Sequence, residues 1–161
     1  MATIKRFDGF IFGSLVVGLM LTIVPLPALV SAWRPAWLAM LVVYWTLHQP
    51  ERFGLLGAWL IGIAMDTLTG TLLGQHALAL MVIAFISLKL HLQIRVFPKG
   101  QQALTVLMLI LVYEFLLFWV DGVAGFTTSG MERWMPVLSS AALWLPMRAI
   151  VKWVMVVARR A

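Results

Sequence analysis

ALTVLMLILVYEFLLFWVDGVA, residues 103–124, decides the class of fold. At about 1.5 Å per helical residue the run can cross a hydrocarbon layer of about 30 Å. Its centre carries a single acid, Glu114. Apolar runs of similar kind recur on both sides of it. They cover Phe10 to Leu29, Ala36 to Leu47, Phe53 to Leu68, Ala77 to Ile94 and Trp134 to Val157. Of the 161 residues, 63% are hydrophobic and 11% charged. So little charge cannot cover a water-facing surface of this size, because soluble domains are about a quarter charged. The expectation is an all-α integral membrane protein, a single polytopic domain over residues 1–161 with six transmembrane helices.

The charges orient the runs. With an inside N-terminus, the inner segments hold Lys5, Arg6, Arg52, Arg95, Lys99, Arg159 and Arg160. Lys89 and Lys152 can extend toward the same side. The outer segments hold only Arg34 and Arg133. Basic residues gather on the cytoplasmic side of membrane proteins, so both ends are expected inside. The net charge of +6 is then a topology signal, with anionic lipid and no nucleic acid as its partner. Two alternatives stay open. The second run is only about 18 Å of helix. Runs two and three could form a re-entrant hairpin, leaving four full spans and putting Glu51 and Arg52 deep in the bilayer at a cost. Extension of the span by Trp33, Trp37 and His48 is the favoured reading. Val30-Ser31-Ala32 also resembles a signal-peptidase site, but the run before it is long and proline-rich for that, and an uncleaved first helix is the favoured reading.

Chemistry-bearing motifs are sparse. There is no cysteine, no nucleotide or hydrolase fingerprint, and each histidine stands alone, which argues against a metal site. No enzyme and no cofactor is expected. In the third run Ala58, Gly62, Asp66, Gly70 and Gly74 recur every four residues, which puts the helical ones on one face. Small residues let membrane helices approach closely, so this face is expected to bury against another helix, internal or a partner's. Asp66 is a cap or structural carboxylate near the outer surface, bonded to Thr67, Thr69 or a neighbouring span; a ligand or proton-coupling role is the sharper alternative. Glu114 and Arg148 lie within the fifth and sixth runs, where an unpaired charge is costly. A Glu114–Arg148 pair locking these spans is expected, with Lys89 as the other candidate partner.

Arg34-Pro35-Ala36-Trp37-Leu38 opens the second run, followed by Tyr44-Trp45, Gly57 and Gly62-Ile63-Ala64-Met65-Asp66. Thr69-Gly70-Thr71-Leu72-Leu73-Gly74 and Gln101-Gln102-Ala103-Leu104 come next, then the acid of run five and Phe118-Trp119. This order resembles the bacterial rod shape-determining MreD family across nearly the whole chain. The resemblance implies an inner-membrane subunit of the cell-elongation machinery that binds MreC. It also implies a wider complex with MreB, RodA and a penicillin-binding transpeptidase, and a six-helix fold similar to the substrate-binding subunits of energy-coupling-factor transporters. It brings no catalytic residues. Arg34, Pro35, Trp37, Asp66, Gly70, Gly74 and Glu114 would serve fold and partner contact. Two rival classes remain: a small-solute carrier or transporter subunit, and a lipid-handling enzyme or flippase. Both need Asp66, Glu114 and Arg148 around one polar pocket.

Overall fold

A computed structural model describes the backbone of residues 2–27, 31–126 and 130–160, with side chains over 9–27, 31–126 and 130–157. Six α-helices form among these residues, each at one of the six apolar runs. They are α1 (Ala2–Ile23), α2 (Trp37–His48), α3 (Leu55–Thr69), α4 (Gln75–Val96), α5 (Lys99–Val123) and α6 (Met135–Arg160). A 3-10 turn, Met131–Trp134, leads into α6. No strand occurs among the described residues. The Val30-Ser31-Ala32 site lies partly outside them, as do the side chains of Lys5, Arg6, Arg159 and Arg160.

Local chemistry sets the helix ends. α1 stops at Ile23, short of the expected Leu29, because Pro25 and Pro27 disfavour helical backbone in the residues before them. Gly70 ends α3 at φ 68°, and Gly74 precedes α4 at φ 98°. Both are left-handed conformations that glycine adopts without a Cβ clash. These two glycines therefore shape a five-residue turn and do not extend the packing face of α3.

α2 is the centre of the bundle. Every residue from Leu38 to Leu47 is buried, and α1, α4, α5 and α6 all pack on it. A helix that is apolar all round belongs in an interior. That accounts for its shortness: enclosed by longer neighbours, α2 need not reach from one lipid surface to the other. Of the residues expected to lengthen it, His48 adds one residue at its end and Trp33 adds none. Trp33 lies outside the helix, half exposed, and His48 is its last residue. α3 packs chiefly on α4, not on α2, which is not the packing of a hairpin made by runs two and three.

Consecutive helices alternate in direction. Gly18 of α1 meets Leu38 and Leu41 of α2, while Ser14, nearer the start of α1, accepts from Trp45 Nε1 at 2.8 Å. The backbone N–H of Ala36 donates to Ser140 Oγ at 2.9 Å, joining the starts of α2 and α6. Gln102 Nε2 donates to Ile94 O at 2.9 Å, joining the start of α5 to the end of α4. One end of the bundle gathers Arg95, Lys99, Arg148 and Lys152 and is called the basic end below. The opposite end carries Arg34, Asp66, Asp121 and Arg133. Three stretches are long and apolar enough to cross a membrane, Gln75–Val96, Lys99–Val123 and Met131–Val157. Three shorter apolar helices accompany them, Gly9–Ile23, Trp37–His48 and Leu55–Thr69. Large apolar side chains such as Phe12, Leu56, Phe85, Phe115, Trp119 and Ile150 face outward, the pattern of a surface that meets lipid and not water.

Candidate functional site: polar clusters at the two ends of the bundle

The small-residue face of α3 is consumed inside the fold. Ala58, Gly62 and Asp66 are buried. A Cβ built on Gly62 would lie 2.3 Å from Ala77 Cα and 2.7 Å from Ala77 N. The α3 and α4 backbones thus touch here, as small-residue packing allows. This face is an internal seam, the first of the two expected arrangements, with α4 as the helix that it meets.

The close approach brings Asp66 to the start of α4. Its Oδ2 accepts from Gly74 N at 2.8 Å. Its Oδ1 accepts from His76 N at 2.9 Å and Thr71 Oγ1 at 3.0 Å, and lies 2.7 Å from His76 Nδ1. The first N–H groups of a helix have no partner within it, and a carboxylate satisfies them and the helix dipole together. Asp66 is therefore a capping carboxylate, as expected, but it caps the next helix. Its partners are Gly74, Thr71 and His76, not Thr67 or Thr69, whose hydroxyls bond to Ala64 O and Met65 O. His76, read from sequence as an isolated histidine, is the side chain that faces this carboxylate. The sequence signal was Asp66 followed by Gly74-x-His76 across a two-glycine turn.

The same end holds a second cluster that sequence reading missed. Asp121 Oδ1 accepts from Gln75 Nε2 at 2.7 Å, and its Oδ2 pairs with Arg133 Nη2 at 2.6 Å. The Arg133 guanidinium lies 5.9 Å from the centre of the Phe118 ring, which in turn stacks at a tilt on Trp134 at 6.0 Å. α4, α5 and the turn before α6 are joined here. Arg34 closes this end, donating to the carbonyls of Thr22 and Val24 where α1 finishes. A cation on the last carbonyls complements the helix dipole. Trp37 opens α2 and packs at the edge of the core.

The expected Glu114–Arg148 pair does not form. Arg148 Nη1 donates to Gln102 Oε1, and Gln102 lies 12 residues before Glu114 on α5, about 18 Å along the helix. Helix rise along each run placed Glu114 and Arg148 at similar depth, but α6 runs on well past the level where α5 begins, so Arg148 lies level with Gln102. Glu114 is buried, with no ion pair to a cation among the described residues. Lys89, the other candidate partner, sits over the Phe85 ring at 5.6 Å instead. α5 is thus tied to the turn before α6 by Asp121–Arg133 at one end and to α6 itself by Gln102–Arg148 at the other. A double-mutant cycle on Asp121→Asn and Arg133→Gln should give a coupling of about 1 kcal/mol. The Glu114→Gln and Arg148→Gln cycle should be additive within about 0.5 kcal/mol. Thermal unfolding in detergent reads both.

The family model for the rod shape-determining protein MreD matches residues 3–154. The chain belongs to the MreD family. It is also 30% identical, over 106 residues, to a Haemophilus influenzae protein named "Rod shape-determining protein MreD". That alignment covers 66% of this chain and 65% of the relative, so the chain spans about two thirds of the length of the curated relative it matches. No solved structure matches the chain. In this MreD-family chain, the motif residues that carried the resemblance have visible duties. Arg34 caps α1, Asp66 caps α4, Gly70 and Gly74 shape the turn between them, and Gln102 anchors Arg148.

Proposed function

We propose that the chain is a non-enzymatic scaffold subunit of the bacterial rod-shape machinery. It spans the inner membrane six times, with both ends in the cytoplasm. The single observation that carries this reading is the family match over residues 3–154. Three structural facts support it. The helices alternate in direction, the outward surface is apolar, and the basic residues crowd one end, as cytoplasmic ends do. The polar groups within the bundle act as caps and ties between helices. Asp66, Glu114 and Arg148 do not converge on one pocket, which removes the arrangement that a carrier or lipid-handling enzyme needs.

The proposed partners are MreC directly, and MreB, RodA and a penicillin-binding transpeptidase in the wider assembly. With the α3 face used internally, the surface offered to the single helix of MreC is a groove between α1 and α6. It has a volume of about 650 Å³ and is lined by Gly9, Gly13, Val17, Trp37, Pro146 and Ile150 among others. A Cβ on Gly9 or Gly13 would meet nothing within 4 Å. The two glycines are four residues apart and leave room for a helix to approach closely. Affinity purification from native membranes, with identification of the recovered proteins, tests the reading. Recovery of MreC supports it, and recovery of a transporter ATPase in its place refutes it. Gly13→Leu should leave the bundle folded while lowering recovery of MreC several-fold. Undiminished recovery would move the partner off this groove.

A further inference from the structure

At the basic end, α2, α4, α5 and α6 enclose a cavity of about 360 Å³. Small-molecule sites run from about 300 to 1,000 Å³, so the space suits a compact ligand. Its polar lining is Tyr44, His48, Arg95, Gln102, Arg148 and Lys152. No carboxylate lines it, and none lies within ion-pair distance of Arg95, Arg148 or Lys152 among the described residues.

The lining is built and not merely basic. Gln102 is 2% exposed; its amide N–H is spent on Ile94 O and its carbonyl oxygen on Arg148. That bond fixes the guanidinium and leaves its remaining N–H donors without an acceptor among the described residues. His48 Nδ1 lies 2.9 Å from Tyr44 O, to which it donates, and the two rings stack at 4.3 Å. The imidazole is thereby held with Nε2 free. Tyr44 is 1% exposed and its side chain lines the cavity. Three cations, an imidazole and a buried phenol thus converge on a space with no counter-charge. Like charges so placed repel unless an anion joins them. Guanidinium forks match the oxygens of a phosphate, and an ammonium serves it as a point charge.

We propose that this cavity is a binding site for a phosphate group, presented either by an anionic lipid headgroup or by a free phosphate compound. The cavity opens where helices end, at the depth of lipid headgroups if the membrane reading above holds. The binding chemistry itself does not depend on the role in cell shape.

Native mass spectrometry of the purified protein, with phosphatidic acid or phosphatidylcholine added, tests the assignment. Phosphatidic acid should remain bound and phosphatidylcholine should not. Arg95→Gln/Lys152→Gln, both exposed positions that the fold tolerates, should weaken retention about tenfold. Tyr44→Phe should weaken it by a smaller factor with the fold retained. Lys99→Gln, a nearby basic residue outside the cavity, should have no effect. Displacement by millimolar inorganic phosphate would identify a free-phosphate site, and resistance to it a lipid headgroup site. Equal loss in Lys99→Gln and Arg95→Gln/Lys152→Gln would reduce the effect to general surface charge and overturn the proposal. So would unchanged retention in the double variant.

Discussion

Gly62→Leu yields no stably folded protein. The substitution drives a branched side chain into the backbone of Ala77, where even a Cβ would lie 2.3 Å from Cα. The obstacle is a helix backbone, so no rotamer relieves it, and α3 and α4 must separate. Gly62→Ala already costs roughly 1–3 kcal/mol by overpacking. Its gain of about 1 kcal/mol in helix propensity offsets only the low end of that cost. Leucine adds three more carbons to the same clash. Separation also withdraws Asp66 from the start of α4, so two interfaces fail together. Size-exclusion profile and thermal unfolding in detergent report the outcome. Gly13→Leu is the control: it places the same side chain in open space and should unfold within a few degrees of the parent. If Gly62→Leu unfolds at the parent temperature, the α3–α4 contact is misassigned.

Asp66→Ala is the second large effect. The carboxylate holds the N–H groups of Gly74 and His76, the Thr71 hydroxyl and the His76 ring. Removing it deletes a helix cap, which costs about 1–2 kcal/mol. It also leaves buried donors unpaired, at about 1–3 kcal/mol each. The expected destabilisation is roughly 3 kcal/mol or more. Asp66→Asn should cost about half as much, since one oxygen remains and the other becomes a donor facing donors. Thr71→Val, which removes one bond to the carboxylate and the hydroxyl's contacts with Thr69 and His76 at an exposed position, should cost about 1 kcal/mol. Hydrogen exchange at Gly74 and His76 should accelerate in Asp66→Ala and hardly change in Thr71→Val. A purely ligand-binding Asp66 would give the opposite: Asp66→Ala as stable as the parent, or more so.

The sequence made the number of helices legible, and most of their limits, because each is a separate apolar run broken by proline, glycine or charge. It made the buried face of α3 legible, because Ala58, Gly62 and Asp66 share one side of a helix. It could not say what lies opposite. The partner of Asp66 is ten residues on, across a turn whose two left-handed glycines redirect the chain. Asp121 and Gln75 went unnoticed because each stands near the end of an apolar run, where a polar residue is unremarkable. The pairing of Glu114 with Arg148 went wrong because helical rise gives position along one helix and not the offset between two. That offset is set by side-chain packing, here by Gln102 meeting Arg148 at the mouth of the bundle.

The run ALTVLMLILVYEFLLFWVDGVA and its five companions thus determined, without tertiary information, that this is an all-helical chain whose apolar surface faces lipid. Hydrophobic length and charge asymmetry are properties of single segments, so the sequence carries them entirely. Only the tertiary structure decided that the shortest helix is the core, that the small-residue seam is internal, and that three cations share one cavity with a buried phenol. Those facts depend on which helices are neighbours and at what height. The choice is made by packing between segments far apart in the chain.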